Sequence, residues 1–241
     1  MSICLSSHVF RVLGGPKQLV RAKHSFVVYF TIMSIDLIAP SRIDPADLSA
    51  RKMYRLLIGL VTPRPIAWVG TISPQGIPNL APFSFFNAVA ANPPTLVFSV
   101  SNRRDGSQKD TLRNIVAVPE FTVSTVSHSQ AEQMNQTSAE LPYEESEFSH
   151  FHIDAVASQK IRPPFVGGAK VAMECVLHQL VPVGEGPLAA TLVIGRIVLV
   201  HLGAGVLDQQ GEPDPQVLDH IGRMGGDGYC RIGERFSLKR P

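Results

Sequence analysis

Three cysteines, Cys4, Cys175 and Cys230, are all that 241 residues contain. So few and so scattered, they exclude a disulfide framework and a four-cysteine zinc site, and they point to a reducing compartment. As isolated thiols in apolar or aromatic surroundings, Cys175 and Cys230 read as small hydrophobes rather than nucleophiles. No apolar run approaches the roughly 18 residues of a membrane helix, and SFVVYFTIM near the N-terminus falls well short. Charge is sparse too, at 17% of residues. Four of the 22 Lys and Arg residues (Arg11, Lys17, Arg21, Lys23) and none of the 20 acids precede Met33, so the remainder holds 18 basic against 20 acidic residues. That balance lacks the clustered cations with which nucleic-acid binders neutralise phosphates. There is also no nucleophile elbow and no interpretable Ser-His-Asp order. An enzyme with this sequence borrows its chemistry.

The acid-free, basic stretch 1–32 admits two readings. One is an organelle-targeting leader, which gives a mitochondrial location. The other is upstream sequence ahead of a start at Met33, where MSIDLIAPSRIDPADLSARKMYRLL reads as an ordinary protein beginning. The absence of a small-residue cleavage site after a proper apolar region favours the second. Residues 33–241 are then expected to form a single domain, cytoplasmic in location, with 1–32 an extension outside it.

With 44% hydrophobic residues, the chain can bury a sizeable core. LSARKMYRLLIGL (48–60) has helical apolar spacing, and TPRP stops it. PIAWVGTISPQGIPNLAPFSFF (65–86) reads as a strand, a Pro-Gln-Gly turn and a returning strand. A strand at 95–101 follows. Asp110 is placed as N-cap of a helix over 111–118, since its carboxylate can accept first-turn amides. A strand at 120–127 and a helix at 129–138 come next. Residues 139–169 read as a long surface excursion. Two long strands, 170–183 and 190–202, precede a tail with a short strand at best. Hairpin-linked strands without strand-helix-strand regularity predict a mainly β, antiparallel barrel with a few short helices.

Two stretches carry candidate chemistry. SNRRDGSQKDT (101–111) gathers cations and hydroxyls into a loop that opens a helix, a suitable cradle for a phosphate; the alternative is a solvated loop. It is not a P-loop, because the Gly-Lys-Ser/Thr ending is missing. NLAPFSFFNA (79–88) crowds three phenylalanines against Pro82, Ser84 and Asn87, which suits either a flat heteroaromatic ligand or a bent core strand. RMGGDGY (223–229) is a tight turn rather than a dinucleotide fingerprint. His150 and His152 lack a third metal ligand, and 206–215 fails the EF-hand spacing.

Taken in order, TPRPIAWVGTIS, GIPNLAPFSFFNAVAANPPTLVFSVS, RDGSQKDTLRNI, EFTVSTV, RPPFV, MECVL, LVIGRIVLVH and GRMGGDGYCRIGERFSL resemble the flavin reductase-like family of FMN-binding split-barrel flavoproteins. This is the branch related to the small reductase components of two-component monooxygenases. The resemblance spans about residues 50–241. It implies a homodimer of antiparallel split barrels with FMN near the subunit interface. The phosphate is then expected on Ser101, Asn102, Arg103, Lys109 and Thr111, with Asp110 among them at the helix start. The isoalloxazine is expected on Ala81, Pro82, Phe83, Ser84, Phe85 and Asn87, flanked by Thr62 and Trp68. In such an enzyme NADH or NADPH gives hydride to flavin N5, and electrons pass on to a partner monooxygenase or other acceptor. No side-chain acid or base is indispensable to that chemistry. A flavodoxin-like electron carrier, or a flavin-binding protein that handles no nicotinamide, is the alternative.

Overall fold

In the computed structural model, residues 42–240 are described; the stretch 1–32 and the expected start at Met33 lie outside them. Asp44–Pro241 form one compact unit. After a 3-10 turn, helix α1 (Ala50–Leu60) is capped by Ser49, whose hydroxyl accepts from the amide of Lys52. The expected hairpin is β1 (Ala67–Ile72) with β2 (Pro78–Phe83). β2 does not run on to Phe86, however: Ser84 and Phe85 interrupt it, and β3 (Phe86–Ala91) turns instead to pair with β4 (Pro94–Ser101). Helix α2 (Asp110–Ala117), β5 (Glu120–Ser124) and α3 (Ala131–Gln136) follow. The excursion 139–169 contains a short helix α4 (Glu147–His150) and a two-stranded ribbon of β6 (Ala155–Val156) and β7 (Phe165–Val166). β8 (Val171–Val183) and β9 (Ala190–Leu202) form the longest hairpin. A helical turn α5 (Pro215–Leu218) leads to the ribbon β10 (Ile221–Arg223) and β11 (Tyr229–Arg231).

Seven strands join in one antiparallel sheet, in the order β2-β1-β5-β8-β9-β4-β3. Its two edges, β2 and β3, are neighbours in sequence, linked only by Ser84 and Phe85. Three residue steps reach about 10 Å, whereas six interstrand gaps of a flat sheet span about 29 Å. The sheet must therefore curl until its edges meet. No ladder joins β2 to β3, and the barrel is split along that seam. Edge position also explains why β2 tolerates Pro78 and Pro82, whose missing amides would break a central ladder.

The inside of the barrel is apolar. Phe83, Phe98 and Phe121 lie ring against ring at 5.2 and 5.4 Å between centroids, packed with Val69, Leu96, Val100, Ile115 and Val193. Gly195 on β9 is required here, because a Cβ would run into the Phe121 ring. On the opposite face of β1 and β2 a second cluster of Ile66, Trp68, Leu80, Met134 and Phe148 seats α3 and α4. The period-two alternation of a strand divides the neighbours Ala67 and Trp68 between these two cores.

Asp110 is not the N-cap of α2. Lys109 holds that position, with no side-chain cap bond, and Asp110 is the first helical residue. Its carboxylate is taken by the Arg103 guanidinium at 2.7 Å, an ion pair that competes with capping while leaving an acid in the first turn, where the helix dipole favours it.

Candidate functional site

The seam between β2 and β3 exposes what a continuous strand would bury. Among the described residues the amides of Ser84 and Phe85 donate to no recorded acceptor, although the Phe85 carbonyl accepts from the Ser99 amide at 2.9 Å. Pro82 is not what frees these amides. Instead Pro82 stays in register opposite Trp68, and the release comes two residues later, where the chain leaves one edge for the other. The phenylalanines divide accordingly. Phe83 faces the barrel and is buried, whereas Phe85 is 38% exposed. Ala81, Pro82 and Ser84 are half-buried and Asn87 is exposed.

The loop 101–109 reaches this seam through Lys109, whose Nζ lies 5.8 Å from the Phe83 ring centroid. Its side chain meets solvent. Desolvation by the surrounding protein lowers its pKa from the ordinary lysine value and the like charge of Arg103 adds to this, while Glu140 opposes both. The other expected phosphate ligands are committed to holding the loop. Arg103 donates to the Gln108 carbonyl and pairs with Asp110. Asn102 ties the loop to the β8–β9 turn, its amide donating to the Ala189 carbonyl and its Nδ2 to that of Gly186 at 3.2 Å. Thr111 is buried, its hydroxyl accepting from Asn79 Nδ2. Ser101 is half-buried at the end of β4. Lys109 is thus the cation of this set left without an ion pair among the described residues.

Trp68 does not flank the seam. It is wholly buried in the second core, with Nε1 donating to Thr137 Oγ1 at 2.9 Å. Strand alternation turns it away from the barrel, and its one polar atom is already used. Thr62 is half-buried between α1 and Arg64.

Sequence reasoning missed Arg64. Its Nη1 donates to the carbonyls of Ile58 and Val61, both at 2.6 Å, and its Nη2 to that of Met224 at 3.0 Å. Nε reaches Ser84 Oγ at 3.4 Å, and the guanidinium lies 5.7 Å from the Phe85 ring centroid. One side chain thereby gathers the end of α1, the glycine-rich turn after β10 and the seam. The only signal in the sequence was an Arg between two prolines, which does not say where the side chain goes. Met224 and Gly228 also close that turn by backbone bonds, so RMGGDGY is the tight turn expected.

Elsewhere, His150 lies 3.5 Å from Glu145, and among the described residues no three His, Cys, Asp or Glu side chains are grouped to hold a metal. Cys175 is buried, and burial, followed by the nearby Glu174 charge, pushes its thiol far up. It is a packing residue. Among the described residues no helix is long and apolar enough to cross a membrane.

A split antiparallel barrel with donor groups gathered at its seam defines a class, the split-barrel flavin proteins. The family described as "Flavin reductase like domain" matches residues 59–224, and the chain belongs to it. An uncharacterised protein of Halalkalibacterium halodurans is 40% identical over 202 residues, 83% of this chain and 96% of that one. Nitrilotriacetate monooxygenase component B from Bacillus cereus superposes with a TM-score of 0.79 at 37% identity, over 83% of this chain and 99% of its own. The Pseudomonas fluorescens 2-nitrobenzoate 2-nitroreductase NbaA superposes with a TM-score of 0.75 at 30% identity, over 83% and 96%. Membership in this family supports a flavin cofactor and flavin oxidoreductase chemistry.

Proposed function

We propose that this protein is an NAD(P)H-dependent flavin reductase that uses FMN and acts in the cytoplasm. One observation carries the reading: Lys109, a loop cation without an ion pair among the described residues, stands beside Phe83, one residue before the amides of Ser84 and Phe85, which donate to no acceptor among those residues. A phosphate donor and a run of backbone donors at one seam fit a ligand with an anionic tail and a polar, flat head. When bound, FMN supplies the hydride-accepting chemistry. Lys109 would hold its phosphate. Ala81, Pro82, Ser84, Phe85 and Asn87 would seat its ring, with the Ser84 and Phe85 amides directed at the ring's polar edge. Arg103, Asp110, Thr111 and Asn102 would keep the loop in shape without touching the ligand charge.

The protein is proposed to work as a homodimer. None of the residues of α1 is buried: Tyr54, Leu57 and Leu60 stay exposed, with the Tyr54 ring 6.4 Å from that of Phe85 at the seam. A contiguous apolar patch of this kind marks an interaction surface. The relative named a monooxygenase component supports a partner oxygenase as electron acceptor.

Stopped-flow mixing of FMN-loaded protein with NADH or NADPH tests the activity, with bleaching of the oxidised flavin band expected. A flavin that stays oxidised with both nucleotides would leave an electron carrier and remove the reductase.

A further inference from the structure

Arg64 is the one cation buried among the described residues, at 4% exposure. A buried charge is tolerated when it is paired, and removing its counter-charge is costly. No carboxylate among the described residues lies within ion-pair distance of Arg64. Three carbonyl dipoles and one hydroxyl are its recorded partners, which occupy four of the five guanidinium N–H groups and leave one on Nη2.

A second cation sharpens the imbalance. Arg223 pairs its backbone with that of Arg64 in both directions, at 3.0 and 2.8 Å. Its guanidinium donates to the Gly226 carbonyl and lies over the Tyr229 ring, again with no carboxylate paired to it among the described residues. The amides of Ser84 and Phe85 are donors without acceptors among the described residues at the same place. One buried guanidinium, with a second cation behind it, and two amides therefore stand at or next to the seam, and among the described residues no carboxylate pairs with either cation. A protein surface built this way is complementary to an anion that it does not itself contain.

We propose that Arg64 is the counter-charge of the seam, a positioning residue that makes the site hold reduced flavin, which carries negative charge at its ring edge, more tightly than oxidised flavin. This rests on the flavin reading above. Arg64 acts through Ser84, which it orients by the Nε bond, and by its field across the Phe85 ring. A preference of this kind raises the midpoint potential of the bound cofactor, because potential and the ratio of the two dissociation constants are linked.

The test measures the dissociation constants of oxidised and reduced FMN, the latter anaerobically, together with the midpoint potential, in wild type, Arg64→Lys and Arg64→Met. Arg64→Met is expected to lose at least tenfold of the preference for reduced FMN, a fall of about 30 mV for a two-electron couple. Arg64→Lys, which keeps the charge, is expected to stay within about threefold of wild type. An unchanged ratio in a folded Arg64→Met variant overturns the proposal, as does Arg64→Lys falling as far as Arg64→Met. Should Arg64→Met not fold, the arginine Nε–H resonances of 15N-labelled wild type decide. Arg64 is expected to shift when bound FMN is reduced, and a stationary Arg64 signal beside moving Ser84 and Phe85 amides overturns its role. Wild type that binds neither form of FMN overturns the flavin reading itself, an outcome distinct from all of these.

Discussion

The interior of the barrel and the surface running from α1 to the seam use the same residue types to opposite ends. Inside, Phe83, Phe98 and Phe121 pack in tilted and edge-to-face pairs with almost no surface left to water. Outside, Tyr54, Leu57, Leu60, Val61, Phe85 and Val89 remain exposed, although helix α1 has an apolar stripe as well formed as any that packs. The interior is satisfied within one chain, and every ring has a partner. The surface is not, since both its apolar area and its donors exceed what the described residues supply to cover them. One region holds the fold, and the other is kept open for what binds.

Substitutions should separate the two. The largest effect is expected from Phe98→Ala, which empties the middle of the ring cluster and should cost about 3–5 kcal/mol of stability by urea unfolding; flavin affinity of the folded fraction should change far less.

Glu174, opposite Thr122 on the face of the sheet turned away from the ring cluster, tests another satisfied part of the fold electrostatically. It is wholly buried, accepts from the amides of Gln159 and Lys160, both at 2.7 Å, and meets His201 Nε2 at 2.6 Å. Burial opposes its ionisation, but these bonds outweigh burial and hold its carboxyl below the ordinary value of 4.5. A depressed acid stabilises the fold above its unfolded pKa and stops doing so as pH falls through its folded one. Glu174→Gln should therefore cost about 1.5–3 kcal/mol at neutral pH. The gap to wild type, followed by thermal unfolding, should shrink below pH 4.5.

On the open side, Lys109→Ala should weaken FMN binding by about 1–3 kcal/mol and leave riboflavin, which lacks the phosphate, unchanged. Equal losses for both ligands would remove Lys109 from the phosphate. The smallest effect on the fold belongs to Leu57→Ser, expected within about 0.5 kcal/mol by urea unfolding at a concentration where wild type is monomeric. The same variant should shift a dimer towards monomer in light scattering. A monomeric wild type, or an unmoved dimer, would mean that α1 is not the covered face.

Much of the architecture was legible. The Pro-Gln-Gly turn announced the β1–β2 hairpin, and alternation announced β8 and β9, since turn chemistry and period two are local properties. Asp110 was misread because capping competes with an ion pair to Arg103 that lies seven residues back, and spacing along the chain does not show which partner wins. Trp68 was misassigned for a related reason. A strand has two faces, and the pattern of apolar residues on β1 is the same whether a ring turns into the barrel or outward to Thr137. Arg64 was invisible, because its partners at Ile58, Ser84 and Met224 come from three separate parts of the chain.

By itself the sequence determined the period-two strands, the turns between them, the proline-bearing edge and the family to which residues 59–224 belong, all properties of neighbouring residues. Only the tertiary structure decided that the sheet's two edges meet at Ser84 and Phe85, that Lys109 arrives beside them, and that Arg64 stands there with no carboxylate paired to it among the described residues. Closing a barrel brings distant residues to one seam, and what each one faces depends on where the others have already gone.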